Sequence, residues 1–337
     1  MVRTATIRSR TPRLRIAIAL GALIMSASIA GAVTSLSATA KTTPGPLGTA
    51  RATLATQEVV GITQVTLTDD SRGDTTRGGT TTAGRTMLVT IRYPATSTGG
   101  GSSTTEEWDA AVVGAAPLVI FAPGFDVSAD TYAGMEHELA AAGFVVAAID
   151  FPMTSSAFAG APVEDDVVNQ AGDVSFAISA LTGPSAPARL VGHVGTGPVS
   201  VVGHSDGGVT AAGVAFNSCC ADARIGAGVI LSGAESRYGG DWFPSDSSPV
   251  LLVHGTDDEV NSFSSSQQLY DDATGAKTLV GVLSGTHLGP FTTDAVRPAI
   301  SALIADFLHA HLQGDRAAAD RLVADASAPG LTLLAAA

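Results

Sequence analysis

Between residues 117 and 312, short and almost wholly apolar runs alternate with longer stretches of helical spacing. The runs fall at 118–121, 144–149, 199–202, 226–231, 250–254 and 278–283, with helical stretches near 132–142, 165–181, 209–214, 264–273 and 294–312. A strand with one face in water alternates apolar and polar residues. These runs do not alternate, so both of their faces must be covered. Strands of this kind interleaved with helices predict an α/β fold, a mostly parallel central sheet with helices on both faces. Upstream, residues 59–67 and 87–93 read as two further strands joined by a polar Gly/Thr stretch over 69–85. That stretch carries Arg72-Gly73-Asp74, an adhesion-type tripeptide too short to mean anything alone. A second loose segment, 97–103, is Gly/Ser-rich and suits a surface loop. The chain after Leu231 reaches the next strand in under twenty residues, which leaves room for a minimal cap and predicts an open site.

The first forty residues stand apart. Arg3, Arg8, Arg10, Arg13 and Arg15 form a basic patch, an apolar run follows over 16–33, and Ala38-Thr39-Ala40 closes it. This is the pattern of a secretory signal peptide cleaved near Ala40, with a retained membrane anchor as the alternative because the run approaches spanning length. The expected organisation is a signal peptide over 1–40, a flexible lead-in over 41–57 and one catalytic-size domain over 58–330. Cleavage would leave 13 basic against 31 acidic residues, a net charge of −18. Nucleic acid and anionic membrane surfaces are therefore excluded as partners, and a secreted, self-repelling monomer is expected with no stable membrane insertion. The two cysteines, Cys219 and Cys220, are adjacent. Neighbouring cysteines close only a strained ring, so the pair reads as buried and reduced, or as paired between chains.

The chemistry begins where the 199–202 run breaks into Gly203-x-Ser205-x-Gly207 and an Ala-rich helix follows. A serine between glycines at a strand-to-helix turn has the form of a nucleophile elbow, since the sharp turn has no room for side chains beside it. A serine hydroxyl is a poor nucleophile at neutral pH and needs a base, which itself needs an orienting acid. In this topology the partners follow in the order Ser, acid, His. The 250–254 strand runs into Asp257, Asp258 and Glu259, and the 278–283 strand runs into His287. Six other histidines compete: His137, His309 and His311 lie on helices, and His193 precedes the elbow strand. His204 points away along the turn, and His254 closes a strand. Only His287 lies in a Gly-flanked loop after a strand downstream of the acid. No HExxH, GxGxxG or Walker pattern occurs, so neither a metal nor a nucleotide cofactor is expected.

These residues resemble the α/β-hydrolase superfamily, in its cap-poor exported esterase branch. That branch holds the dienelactone-hydrolase-like, chlorophyllase-like and platelet-activating-factor-acetylhydrolase-like enzymes, related to cutinase-like polyester hydrolases. The likeness runs from about Thr86 to Leu312, through Arg92-Tyr93-Pro94, 121–125, 143–150, 203–208 and 254–260. It implies an α/β-hydrolase fold and a secreted serine ester hydrolase acting on a small-molecule or polymeric carboxylic ester, whether short-chain, lipid-like or polyester. An acyltransferase or peptidase using the same triad is the alternative, and after it an inactive binding protein on this scaffold. The acid sits four residues after His254 in the family's loop, which is Asp258 here, with Asp257 a second choice because the following Val comes one residue early. The resemblance also assigns the oxyanion amides to Phe125 and Asp206, with the Phe125 ring lining the substrate pocket. Phe125 has ordinary core packing as its rival reading. The Asp206 carboxylate would oppose an oxyanion, so it is expected to turn away to a partner. Trp242, beside Phe243, reads either as an aromatic wall for substrate or as a local packing anchor.

Overall fold

The computed structural model describes residues 57–97, 105–184, 186–293 and 295–337. The expected signal peptide, lead-in residues 41–56 and most of the 97–103 loop lie outside these residues, and Gln57 already begins the first strand. In chain order the elements are β1 (Gln57–Asp69), β2 (Asp74–Thr75), β3 (Thr81–Thr82), β4 (Arg85–Ser97), β5 (Glu106–Trp108), β6 (Ala111–Val112), β7 (Leu118–Ala122), α1 (Ala133–Ala141) and β8 (Val145–Asp150). There follow α2 (Val167–Thr182), β9 (Val199–His204), α3 (Asp206–Phe216), β10 (Ile225–Leu231), β11 (Val250–Gly255), α4 (Phe263–Asp272), β12 (Lys277–Val282), α5 (Gly289–Thr292), α6 (Arg297–Gln313), α7 (Arg316–Asp325) and β13 (Leu331–Ala336).

The main sheet runs β13-β12-β11-β10-β9-β7-β8-β4-β1-β5, with β6 added to β4. Six strands at its centre, β7 through β12, are parallel, while β4 is antiparallel to both β1 and β8. The apolar runs occupy the centre because the period of a strand sends successive side chains to opposite faces, and both faces are covered. In β7, Val119 and Phe121 enter the core with Tyr132, Leu139, Ile300 and Phe307, whereas Leu118 and Ile120 enter the opposite core with Ala171, Val174 and Val214. β7 pairs β8 on one side and β9 on the other, so the sheet's order reverses there. A crevice opens at the C-terminal ends of parallel strands at such a switch point, and the loops after β7 and β9 meet in it.

The 69–85 stretch is tied down by charge. Arg85 donates to Asp173 at 2.7 and 2.8 Å and also pairs with Asp166, and Arg72 donates to Asp173 at 2.7 Å and to Asp69. The arginine of the Arg72-Gly73-Asp74 tripeptide is thus committed internally. The Asp173 side chain is fully buried, so its removal leaves Arg85 short of a counter-charge in a dry site. Losing one partner of a buried pair costs about 3–5 kcal/mol. Asp173→Ala is therefore expected to lower the unfolding free energy by about 3 kcal/mol, read from urea denaturation.

Two elements lie beyond the expected domain end at residue 330 or were not foreseen before it: α7, and β13, which pairs antiparallel with β12 at the sheet's edge. The cysteines also differ from expectation. Cys219 and Cys220 are bonded to each other in the turn after α3, with Cys219 exposed and Cys220 half-buried. The turn is closed by Asn217, whose side-chain oxygen accepts the Cys219 N–H and whose carbonyl accepts the Cys220 N–H. That closure brings the two sulfurs together. Between β10 and β11 the chain forms no helix, in keeping with the short connection.

Candidate active site

Ser205 stands between β9 and α3 with φ 56° and ψ −121°, a left-handed conformation that a non-glycine residue holds only when its surroundings enforce it. The enforcement comes from close packing. A side chain at Gly203 would strike the Gly207 carbonyl, and one at Gly207 would strike the Ala122 carbonyl at the end of β7. The Ser205 N–H is anchored to the Leu231 carbonyl at 3.0 Å.

His287 Nε2 lies 2.8 Å from Ser205 Oγ, and His287 Nδ1 lies 2.8 and 3.0 Å from the two Asp258 oxygens. A carboxylate only accepts, so Nδ1 carries the proton and Nε2 is bare toward the serine hydroxyl. Burial alone would push the Asp258 carboxyl up. Hydrogen bonds from His287 and from the Val260 and Asn261 amides outweigh it and hold the group below the ordinary carboxylate range. Among the described residues, Asp257, the other candidate acid, is exposed and makes only a 3.5 Å contact with the Thr256 hydroxyl through its side chain. The order and spacing read from the sequence thus bring Ser205, Asp258 and His287 together and leave Asp257 outside.

The loop after β7 passes directly against the serine: a Cβ on Gly124 would sit 3.2 Å from Ser205 Cβ. Phe125 is half-buried there, next to Asp126, whose amide is held by the Thr154 carbonyl at 3.0 Å. Among the described residues, the amides of Phe125 and Asp206 donate to no protein acceptor.

Asp206 departs from expectation. Its Oδ2 is buried and takes no hydrogen-bond partner among the described residues. Burial raises its pKa, Glu164 adds to the rise, and Arg237 and His287 oppose it. Arg237 is already engaged by Glu164 and Asp165, which explains why no partner reaches Asp206. An acid whose pKa is raised in the folded state destabilises the fold as pH climbs from its unfolded value through its folded one. Asp206→Asn is therefore expected to match wild type in melting temperature near pH 4 and to exceed it at pH 7–8. Thermal melts across that range check the sign.

Trp242 is placed away from Ser205. It forms an isolated bridge with Asn217, just past the C-terminal end of α3, and its ring meets Tyr238 edge-on at 6.4 Å. Ser205 sits at the other end of that eleven-residue helix, roughly 16 Å along its axis. Phe243 stacks on Phe216 at 4.9 Å, so the pair anchors its loop to the core under α4 instead of walling the substrate.

Several supporting residues escaped the sequence reading. His254 Nε2 backs Asp258 at 3.2 Å while its Nδ1 meets the Ser266 hydroxyl at 2.7 Å, and burial depresses its pKa. Glu259 Oε2 accepts the His287 N–H at 3.2 Å. Tyr132 meets His204 Nδ1 at 2.7 Å behind the serine. The acid-loop position of Glu259 was visible, but the partners of His254 and Tyr132 lie too far along the chain to leave a local pattern. A cavity of about 680 Å³ lies elsewhere, between the 69–85 stretch and residues 153–169, with Arg72, Arg77, Arg85 and Met153 in its wall and none of Ser205, Asp258 or His287. Among the described residues no cluster of three or more His, Cys, Asp or Glu could hold a metal ion, and no helix is long and apolar enough to cross a membrane.

No family model matches the chain, and no curated protein matches it. Among solved structures it is similar to a ferulic acid esterase from Streptomyces cinnamoneus, with a TM-score of 0.64 and 22% identity over 84% of this chain and 98% of that one. At that identity the likeness is one of architecture. The strand order, the elbow at the switch point and this structural neighbour together give the chain the α/β-hydrolase fold.

Proposed function

We propose that this chain is an exported serine ester hydrolase that cleaves carboxylic esters through an acyl-enzyme. The observation that carries the reading is the unbroken relay from Ser205 Oγ to His287 Nε2 and from His287 Nδ1 to Asp258, each at 2.8 Å, on an elbow held at positive φ. Export rests on the Arg-rich, apolar and Ala38-Thr39-Ala40 pattern of the first forty residues.

In this mechanism Ser205 Oγ attacks the ester carbonyl carbon as its proton passes to His287 Nε2. The carbonyl oxygen gains the negative charge and is met by the Phe125 and Asp206 amides, the two donors beside the serine with no protein acceptor. Asp258 holds the imidazolium that forms. Collapse of the tetrahedral intermediate breaks the ester C–O bond, and His287 returns the proton to the leaving alcohol. A water molecule then attacks the acyl-serine and gives its proton to Nε2; as the C–Oγ bond breaks, Nε2 returns that proton to Oγ, which releases the carboxylic acid and restores Ser205. The connection between β10 and β11 carries no helix that would cover the site from that side, in keeping with water as the second acceptor.

The carboxylic-ester class is supported by the triad geometry and by the esterase named for the structural neighbour. Purified protein is expected to hydrolyse short-chain p-nitrophenyl esters and to be labelled by a fluorophosphonate probe. A panel of acyl-chain lengths, a feruloyl ester and a polyester film sorts the substrate, and competing alcohols expose acyl transfer. Absence of both turnover and labelling overturns the reading.

A further inference from the structure

Behind Ser205, three segments that are far apart in sequence are joined by a buried line of hydrogen bonds. The Gly124 amide lies 3.3 Å from the Tyr132 hydroxyl, that hydroxyl lies 2.7 Å from His204 Nδ1, and His204 Nε2 lies 2.8 Å from the His287 carbonyl oxygen. Tyr132 is fully buried and His204 nearly so. We propose that Tyr132 and His204 are positioning residues, and that this line holds the oxyanion loop after β7 in register with the loop carrying His287. The inference rests on the ester-hydrolase reading of Ser205.

The direction of every bond follows from elementary valence. A carbonyl oxygen only accepts, so His204 Nε2 carries a hydrogen. Burial, reinforced by the neighbouring His287, depresses the His204 pKa to about 3, so its ring is neutral and has one N–H. Nδ1 is therefore bare and accepts from the Tyr132 O–H. The tyrosine oxygen keeps a lone pair for the Gly124 N–H, and the line reads Gly124 to Tyr132 to His204 to His287 with no donor facing a donor. Aromatic rings surround the participants. The His204 ring lies 4.7 Å from His287, 4.9 Å from Phe291 and 5.6 Å from Tyr132, and Phe121 packs on Tyr132 at 4.9 Å.

The arrangement has a functional reason. The acid and base loops are tied to each other by the Asp257 amide on the Gly285 carbonyl and the His287 amide on Glu259. The β7 loop, which carries Gly124 and the Phe125 donor, comes from the other side of the serine. Its connection to the base loop runs through Tyr132 and His204, the latter being the residue before the nucleophile. One hydrogen-bond line thus meets the oxyanion loop, the elbow and the base loop. Misplacing a reacting group by about 1 Å costs on the order of 10²-fold in rate, so such a tie acts on turnover more than on substrate binding. A neutral His204 also lets His287 become an imidazolium during reaction with no second cation beside it.

The test uses the whole protein and a short-chain p-nitrophenyl ester. Tyr132→Phe removes one hydroxyl and leaves the ring in its shell. It is expected to lower kcat about 10- to 100-fold with KM within about twofold, and to slow fluorophosphonate labelling in parallel. His204→Phe, which keeps an aromatic ring but breaks both bonds that His204 makes, is expected to lose at least as much. The double variant should fall no further than His204→Phe alone, because the residues act as one line. Phe121→Leu supplies the structural control: it loosens the packing on Tyr132 but touches no bond of the line, and it should keep kcat within about threefold. A Tyr132→Phe enzyme with wild-type kcat, fully additive losses in the double variant, or an equal fall in Phe121→Leu each overturn the inference while leaving the hydrolase reading standing. Wild-type protein that neither turns over ester nor takes the probe overturns both.

Discussion

Ser205→Ala is expected to abolish fluorophosphonate labelling and to lower kcat on p-nitrophenyl esters by at least about 10⁴-fold, with the circular dichroism spectrum unchanged. The size follows from chemistry. Without Oγ no acyl-enzyme can form, and what remains is the catalysis that the oxyanion amides give to direct attack by water. The fold should survive because the strain at φ 56° is enforced by Gly203, Gly207 and the Ala122 carbonyl, none of which touches the serine hydroxyl. The substitution removes only the 2.8 Å bond to His287. His287→Ala should cost a similar factor, since an unassisted hydroxyl is a poor nucleophile, and the double variant should fall no lower than either single one. Retained turnover in Ser205→Ala would mean that another group attacks the ester, and the mechanism would be abandoned.

How much of this was legible in the sequence depends on whether a feature is local. The six central strands were readable because burial on both faces makes each a continuous apolar run, a pattern carried within a few residues. β13 was not. Leu331–Ala336 ends in alanines, which strands disfavour, and its pairing is supplied by β12 some fifty residues earlier. Ser205 and His287 were legible because the elbow and the strand-then-loop order are properties of the linear chain. Asp258 could not be separated from Asp257 by composition, since two adjacent carboxylates in one loop differ only in where the turn aims them. The Val260 and Asn261 amides fix that aim by bonding Asp258 Oδ1 at 2.9 and 2.8 Å. Tyr132 read as the start of a helix, and His204 as a ring pointing away from the serine. Each reading was compatible with the outcome, but the bond between them spans 72 residues and has no sequence signature. Trp242 had two open readings, a substrate wall and a packing anchor. A Trp-Phe pair in a loop after a strand suits a substrate wall, yet the bridge to Asn217 holds it at the far end of α3.

Asp258→Asn should lower kcat by about 10⁴-fold while Asp257→Asn stays within about threefold of wild type, a contrast that isolates the acid. Asp258 receives five contacts: two from His287 Nδ1, one each from the Val260 and Asn261 amides, and one at 3.2 Å from His254 Nε2. All five come from donors, and a carboxylate can accept them all. An asparagine brings an NH₂ that must face one of them. If it faces His287, the ring turns to the tautomer with its hydrogen on Nε2, and the serine hydroxyl loses its acceptor. If it faces the Val260 and Asn261 amides, both donors lose their acceptor and the loop shifts, carrying the acid away from His287. Either outcome removes the charge that would stabilise the imidazolium. Asp257 has no such set: its side chain is exposed and its backbone, not its carboxylate, binds Gly285. The distinction also predicts the behaviour in acid. Because its partners hold the Asp258 carboxyl below the ordinary range, this group stays charged as pH falls through 5, and the stability it contributes is lost only at lower pH. Asp258→Asn should therefore cost stability at pH 7 that shrinks toward pH 3, read from thermal melts across that range.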